Sequence, residues 1–244
     1  MQCIVLDFDG VLCNSQEECF YIACKLFASQ NLNFDNKSFY LKHKNTLQSY
    51  RQYVVSGEDY FFLVKSVYMG LSFATQSEFN IYKSNNKHLI KHMREKFYKI
   101  RREFIKSAFK SWIELNPLYK NITKKIASLI SEYEIYIVTT KDRDSVSKIL
   151  YHNNLNIDLD NIYGREHQMS KRDCINEIIL KRKLDYIAFI DDQIENLLLI
   201  NMPIVGLFLA AWGYNDEIQM EMARKNNISI LSIEDFPYKV IESY

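Results

Sequence analysis

The sequence predicts an α/β fold in which a parallel sheet, flanked by helices, is interrupted by an all-helical insertion. Two observations indicate this. Short apolar runs alternate with helical stretches through most of the chain, which is the pattern of βαβ units. The first two apolar runs are separated by about 120 residues that contain no convincing strand. A crossover between parallel strands needs only about a dozen residues, so the rest must form a separate helical module.

Five apolar runs are predicted to be strands. The first covers residues 2–8 and ends in Asp-Gly, which suits a buried strand followed by a turn. The other strands, of which the last is the weakest, are predicted over residues 134–139, 186–190, 204–209 and 228–231. Helices are predicted between most of them, over residues 144–151, 172–181, 195–201 and 216–225. Strands and helices in this order favour a parallel sheet with helices on both faces.

The long gap after the first strand has the periodicity of helices. Apolar residues between Leu89 and Trp112 recur at steps of three or four, which predicts one long amphipathic helix. Helical signals also cover residues 15–28 and 60–69, and Pro117 would stop the long helix. We therefore predict an α/β core of residues 1–14 and 118–244, with residues 15–117 as the helical unit.

Composition and charge exclude several classes of protein. Of the 244 residues, 48% are hydrophobic, which is enough to fill a core and excludes a disordered chain. The formal net charge is +1, which argues against a dedicated nucleic-acid or membrane-surface binder. Residues 83–110 hold ten Lys or Arg against Glu95 and Glu103. We interpret this basic run as a solvated helix face, with attraction of anionic substrates as the alternative.

The expected location is cytoplasmic. No window approaches 18 uninterrupted apolar residues, and no basic start precedes a long apolar run, so we expect neither a membrane span nor a secretory signal. The five cysteines have no metal-binding spacing, which favours reduced thiols. His88 and His92 lie four residues apart, but nothing like HExxH surrounds them, so we interpret them as solvated or packed histidines.

Polar residues that follow the strands are candidate functional residues, because open parallel sheets bind ligands outside the carboxyl ends of their strands. These residues are Asp7, Asp9 and Gly10 after the first run, Thr139, Thr140 and Lys141 after the second, Lys171 at a helix start, and Asp191 and Asp192 at the end of the next strong run. Four acids close together repel unless a cation joins them, and oxygen ligands favour a hard ion such as Mg²⁺. A lysine and a hydroxyl beside that ion would form a cradle for a phosphate.

Asp7 and Asp9 are two residues apart, so on a regular strand their side chains would share a face. At a strand end, one of them can attack a substrate while the other handles protons.

The order of these motifs resembles that of the haloacid dehalogenase-like hydrolase superfamily. DFDGVL near the amino terminus, a Thr after a later strand, a lysine, and then FIDD follow the superfamily's sequence of motifs. The helical insertion between the first two motifs resembles its first cap type. Asn-Pro-Leu-Tyr at 116–119 and Trp-Gly-Tyr at 212–214 are similar to stretches of phosphoglycolate-phosphatase-like members. The resemblance implies a Rossmann-like, doubly wound core with an inserted helical cap.

The resemblance also implies roles for the candidate residues. Asp7 would be the nucleophile that forms an aspartyl-phosphate, and Asp9 would protonate the leaving oxygen and then activate water. The remaining implied roles are phosphate binding by Thr139, Thr140, Lys171 and the Gly10 amide, and Mg²⁺ binding by Asp7, the Asp9 carbonyl, Asp191 and Asp192. Electrostatic neutralisation and positioning are what phosphoryl transfer requires.

Four positions depart from the superfamily's usual pattern. Thr140 stands where many relatives carry Asn or Ser, and Arg172 stands where Pro often follows the lysine. Asp191 replaces a frequent Gly, and Asn196 replaces a second Asp. These differences leave open which of Asp191 and Asp192 contacts the metal directly, and we favour Asp192.

The expected function is therefore hydrolysis of a small phosphorylated metabolite by a Mg²⁺-dependent phosphatase, acting as a monomer or homodimer without nucleic-acid or membrane partners. Three alternatives remain: a phosphomutase, a phosphonatase of the same superfamily, and a non-catalytic interaction protein that uses the basic helix. The superfamily's dehalogenases are disfavoured because they usually lack an acid at the position of Asp9. The cap, where specificity would reside, carries no recognisable motif, so the sequence does not name the substrate.

Overall fold

A six-stranded parallel sheet forms the centre of the larger part of the chain in the computed structural model, which describes residues 2–243. The strands are β1 (Cys3–Leu6), β2 (Glu134–Val138), β3 (Ile162–Tyr163), β4 (Ile187–Asp191), β5 (Val205–Ala210) and β6 (Ser229–Leu231). Their order across the sheet is β3-β2-β1-β4-β5-β6, and every pairing is parallel. The predicted α/β, doubly wound architecture is confirmed.

Helices connect the strands and make up the inserted segment. They are α1 (Gln16–Ala28), α2 (Asn36–Ser49), α3 (Gly57–Tyr68), α4 (Gln76–Asn85), α5 (Lys87–Ser107), α6 (Phe109–Glu114), α7 (Lys120–Leu129), α8 (Arg143–His152), α9 (Lys171–Arg182), α10 (Ile194–Leu198), α11 (Glu217–Lys225) and α12 (Tyr238–Ile241). Short 3₁₀ turns occur at Arg51–Tyr53, Leu159–Asn161 and Arg165–His167.

The sheet reverses its winding direction at β1. From β1 the chain extends to β2 and β3 on one side and to β4, β5 and β6 on the other. The carboxyl ends of β1 and β4 are direct neighbours, with Leu6 in register with Ile190. This is the topological switch point, where doubly wound sheets place their ligands.

One face of the sheet packs on a single apolar cluster. Alternate residues of β1, Cys3 and Val5, belong to it together with Phe189 of β4 and Ile175 and Ile178 of α9. Alternation follows from the pleat of a strand, which sends successive side chains to opposite faces. Ile4 and Leu6, on the other face, are also fully buried. A strand buried on both faces explains why the first run is apolar throughout.

The chain divides into two compact units, one of Met1–Asn14 and Leu118–Tyr244 and one of Ser15–Pro117. Within the first unit, Cys13 and Leu118 form an antiparallel bridge, and the Tyr119 amide donates to the Leu12 carbonyl at 2.9 Å. The chain therefore leaves and re-enters this unit at adjacent positions, which allows about a hundred residues to be inserted without disturbing the sheet.

The helical unit has a core rich in aromatic side chains and one buried ion pair. The guanidinium of Arg101 on α5 contacts both carboxylate oxygens of Glu18 on α1, each at 2.8 Å, and both side chains are at most 3% exposed. The indole of Trp112 donates to Glu18 at 3.3 Å. Arg101 thus ties α5 to α1 within this unit.

Two sequence expectations were wrong in detail. The predicted helix through Leu89 and Trp112 is two helices, because Ala108 leaves the helical conformation at φ −151° and ψ 56° between α5 and α6. The strand β3 was not predicted, since a strand of two residues is shorter than any window in which alternation is visible. None of the helices within residues 2–243 is long and apolar enough to cross a membrane.

Candidate active site

Asp7 lies at the first position after β1, beside the end of β4. Its amide donates to the Ile190 carbonyl at 2.9 Å, which extends the β1–β4 ladder by one bond. Its carboxylate Oδ1 accepts a hydrogen bond from the Phe8 amide at 2.7 Å. The residue is only 7% exposed. The backbone thus holds Asp7 at the switch point with its carboxylate in a largely dry environment.

Asp191, the last residue of β4, and Asp192, which follows it, lie beside Asp7. One carboxylate oxygen from each of Asp7, Asp191 and Asp192 lies within 4.8 Å of the other two. Among the described residues, these three form a group of potential metal ligands that lie close enough together to hold an ion. All three residues are buried. Three buried carboxylates at this spacing repel one another strongly unless positive charge lies between them.

Lys171 supplies one positive charge. Its Nζ lies 2.9 Å from Asp7 Oδ2 and 2.6 Å from Asp191 Oδ2, and its side chain is 11% exposed. Lys171 is the first residue of α9, whose start is capped by the Ser170 hydroxyl accepting from the Asp173 amide. The helix cap therefore sets where the lysine enters the site.

These surroundings shift the pKa values of Asp7 and Lys171. Burial raises the pKa of Asp7 to about 7, and the Asp191 and Asp192 charges add to this, against the opposing effect of Lys171. Burial acts to lower the pKa of Lys171, but the Asp191 and Asp7 carboxylates outweigh it and raise that pKa above its ordinary value. Lys171 therefore stays protonated near neutral pH, and further positive charge near Asp7 would favour its ionised form.

Hydrogen bonds orient Asp191 and Asp192. Asp191 accepts from the Gln193 amide at 2.9 Å and from the Asn196 side-chain amide at 3.1 Å. Asp192 Oδ2 accepts from the Tyr214 amide at 2.8 Å. The Asn215 side-chain amide donates to the Asp192 carbonyl at 3.1 Å. The segment after β5 thus holds Asp192, while Asn196 supports Asp191.

Gly10 and Gly213 make room for Asp192. Gly10 has a φ of +91°, and a Cβ there would lie 2.1 Å from Asp192 Oδ2. A Cβ on Gly213 would lie 2.2 Å from the Asp192 Cβ. Only glycine adopts this φ at low cost and leaves this space. The Gly10 amide donates to the Cys13 carbonyl at 2.8 Å, so here it closes a turn.

The segment after β2 brings a second lysine to the site. Thr139 is buried, and its hydroxyl accepts from the Lys141 amide at 3.2 Å, whereas Thr140 is exposed. The fully buried Lys141 side chain ends 3.2 Å from Asp9 Oδ1. The sequence placed Lys141 after a strand without giving it a role. The signal in the sequence that could have marked Lys141 as a site residue was its position two residues after an apolar run.

The structure therefore brings Asp7, Lys171, Asp191 and Asp192 into direct proximity, and joins Asp9 to Lys141. Thr139 and Thr140 stand at the end of β2, the strand next to β1. His88 and His92 are exposed on α5, outside any such cluster of the described residues.

The fold and site define a doubly wound α/β protein with an acid-and-lysine centre at its switch point. The family model of haloacid dehalogenase-like hydrolases matches residues 4–196, and the chain belongs to this family. It is accordingly an enzyme of the hydrolase class. A comparison with curated proteins found no match.

Solved structures share the fold at low sequence identity. A haloacid dehalogenase-like hydrolase from Streptococcus pneumoniae is 16% identical with a TM-score of 0.61, covering 100% of this chain and 98% of that one. A predicted phosphoglycolate phosphatase from Haemophilus somnus is 16% identical with a TM-score of 0.63, covering 98% of both chains. A predicted phosphatase from Clostridium acetobutylicum is 17% identical with a TM-score of 0.61, covering 99% of this chain and 98% of that one.

Proposed function

We propose that this hydrolase is a Mg²⁺-dependent phosphatase that hydrolyses a small phosphorylated metabolite through an aspartyl-phosphate intermediate. The supporting observation is the placement of the Asp7 carboxylate, 2.9 Å from Lys171 Nζ and within 4.8 Å of carboxylate oxygens of Asp191 and Asp192. Solved structures of similar fold that are described as predicted phosphatases support the same class of substrate. A phosphoryl group is the anion that a lysine and a divalent cation bind together.

The donor set fits Mg²⁺. Mg²⁺ is a hard ion that prefers oxygen ligands, and carboxylates are the side chains that supply them. Asp7, Asp191 and Asp192 offer such oxygens from two neighbouring strand ends. The Asp9 carbonyl belongs to the proposed ligand set, and we favour Asp192 over Asp191 for direct contact because Asp191 already binds Lys171 at 2.6 Å. Bound there, the ion would neutralise the carboxylates and the phosphoryl oxygens.

In the first proposed step, an Asp7 carboxylate oxygen attacks phosphorus while the bond to the leaving oxygen breaks. Asp9 gives its proton to that oxygen, so the leaving group departs as an alcohol. Lys171 neutralises charge on the phosphoryl oxygens as they pass through the transition state. The Asp7 carboxylate is suited to attack because the Phe8 amide and Lys171 hold it in one orientation.

In the second proposed step, water attacks the phosphorus of the aspartyl-phosphate. Asp9, now ionised, takes the proton from that water, the Asp7–phosphorus bond breaks, and inorganic phosphate leaves. Both residues return to their starting states. A pair of acids two residues apart thus divides attack and proton transfer between them.

Phosphate binding is assigned to Thr139, Thr140 and Lys171. The exposed Thr140 is accessible to a substrate, and Thr139 lies beside it at the end of β2. A role for the Gly10 amide requires it to exchange its bond with the Cys13 carbonyl for one with phosphate.

Residues 15–117 are proposed to act as a cap that selects the leaving group. The whole enzyme is proposed to act as a monomer or homodimer in the cytoplasm. The support for a cap is that this segment forms a compact unit of its own, inserted between Asn14 and Leu118. The five cysteines, all buried thiols, agree with a reducing compartment.

The proposal is tested by hydrolysis of an aryl phosphate and by trapping of the intermediate. We expect activity with Mg²⁺ that is lost in a chelator and falls at least about 10³-fold in Asp7→Asn. Acid-quenched wild-type protein should carry phosphate on the peptide that contains Asp7, located by mass spectrometry. Asp185→Asn, an exposed carboxylate replaced in the same way, is the matched control and should stay active. Activity that persists in Asp7→Asn would exclude Asp7 as the nucleophile.

A further inference from the structure

Lys141 is a fully buried cation outside the group formed by Asp7, Lys171, Asp191 and Asp192. Its side chain has no exposed surface, and it is among the largest completely buried side chains of the protein. Burying an ammonium group is expensive unless it is paired with an anion. Its Nζ lies 3.2 Å from Asp9 Oδ1 and 5.9 Å from the centre of the Phe8 ring. The chain thus keeps a costly charge beside one particular carboxylate.

The backbone around Lys141 is held on both sides. Its amide donates to the Thr139 hydroxyl at 3.2 Å, and its carbonyl accepts from the Arg165 amide at 3.1 Å. Asp142 then caps α8 by accepting from the Ser145 amide at 2.9 Å. Hydrogen bonds therefore constrain Thr139, Lys141 and Asp142 in the segment between β2 and α8. A lysine on so rigid a segment delivers its ammonium to a defined point.

The two lysines lie beside different acids. Lys171 pairs with Asp7 and Asp191, while Lys141 contacts Asp9. Asp7 and Asp9, the carboxylates to which the proposed reaction gives chemical roles, thus each lie beside a lysine.

We propose that Lys141 is a positioning residue for Asp9: its ammonium holds Asp9 Oδ1, so that the other carboxylate oxygen carries the proton to the leaving group and later receives the proton of water. The inference rests on the proposed phosphatase function and assigns a role to a residue to which the sequence analysis gave none. An aspartate side chain has several staggered rotamers, and proton transfer to the leaving oxygen requires one that reaches it. Fixing that rotamer lowers the barrier by supplying orientation in advance.

Two other roles of Lys141 make different predictions. If Lys141 formed only a structural ion pair, its replacement would affect the stability of the protein and reduce the reaction rates with all substrates equally. A direct contact with substrate would change KM for those substrates that carry the contacted group. Positioning of a proton donor instead changes rates according to the leaving group, because a poor leaving group needs protonation and a good one does not.

The test is a leaving-group series measured for Lys141→Met, Lys141→Arg, Asp9→Asn and wild type. For each enzyme, single-turnover formation of the phosphoenzyme is followed with an alkyl phosphate, phenyl phosphate and dinitrophenyl phosphate. We expect Lys141→Met to lose about 10²-fold with the alkyl phosphate and less than about threefold with dinitrophenyl phosphate, which is the pattern also expected of Asp9→Asn. Lys141→Arg, which keeps the charge, should recover part of the loss. Lys120→Met, an exposed lysine on α7, is the matched control and should behave as wild type.

Equal losses across the series in Lys141→Met, with phosphoenzyme still forming on Asp7, would overturn the positioning role and leave the phosphatase assignment intact. A KM effect confined to one class of substrate would overturn it in favour of direct binding. If the wild type forms no phosphoenzyme, the phosphatase assignment fails and this inference fails with it. Lys141→Gln carries the same test if Lys141→Met does not fold.

Discussion

The Asp7 carboxylate and the Lys171 ammonium lie 2.9 Å apart at the end of the first strand, with Asp191 on the other side of the lysine at 2.6 Å. One cation therefore serves two acids that come from neighbouring strands. This arrangement leaves the site short of positive charge, and that shortage makes its stability sensitive to pH and to divalent cations.

The stability of the metal-free protein should depend on the charge of Asp7. The pKa of Asp7 is raised from 3.8 to about 7, so the carboxyl group contributes stability below pH 4 that is lost as pH rises through 7. This shift corresponds to at most about 4 kcal/mol. In a chelator, we expect Asp7→Asn to be more stable than wild type at pH 8, with the difference vanishing near pH 4. Urea unfolding at both pH values measures it. A wild type that is the more stable protein at pH 8 would contradict the prediction.

Mg²⁺ should stabilise the folded protein in a concentration-dependent manner. An ion that binds only the native state adds about 2.7 kcal/mol at a hundredfold excess over its Kd. We expect the thermal midpoint of wild type to rise with Mg²⁺ and the effect to be much smaller in Asp192→Asn, because one of the clustered carboxylates is lost. Asp185→Asn, which lies outside the cluster, should respond like wild type. Equal responses of Asp192→Asn and wild type would argue against Asp192 as a ligand.

Substitution of Gly10 should displace Asp192, whereas the same substitution at Gly70 should not affect the site. Both glycines have positive φ, at +91° and +71°. A Cβ at Gly10 meets Asp192 Oδ2 at 2.1 Å, but a Cβ at Gly70 has nothing within 4 Å. Gly70→Ala should therefore cost about 1–2 kcal/mol of backbone strain and retain activity. Gly10→Ala should cost more and lose activity and Mg²⁺ stabilisation. Urea unfolding and aryl phosphate hydrolysis measure both effects, and an active Gly10→Ala would contradict the placement of Asp192.

The buried ion pair of the helical unit should be important for stability. Arg101→Met would leave the Glu18 carboxylate, which is 0% exposed, without its bidentate partner, and loss of one member of such a pair costs about 3–5 kcal/mol. The double variant Glu18→Leu, Arg101→Met should recover a large part of that loss, since neither charge then remains buried. A double-mutant cycle by urea unfolding tests this. Additive losses would show that the two charges do not interact.

The sequence by itself determined the class of fold and the order of the candidate residues. A buried strand needs apolar residues on both faces, and polar residues are tolerated only beyond its end, so Asp7 and Asp192 were recognisable as strand-end residues from the runs that precede them. The inserted segment was recognisable as helical because its apolar residues repeat at helical spacing. These are local properties, and local periodicity is what a single sequence records.

Only the tertiary structure decided which side chains meet. Lys141 and Asp9 are 132 residues apart, and their contact at 3.2 Å depends on the packing of β1 beside β2 and on the path of the segment after β2. The support of Asp192 by the Tyr214 amide, 22 residues further along the chain, has the same origin. No periodicity encodes such pairs, because a long side chain finds its partner only after the strands have fixed the distance between them.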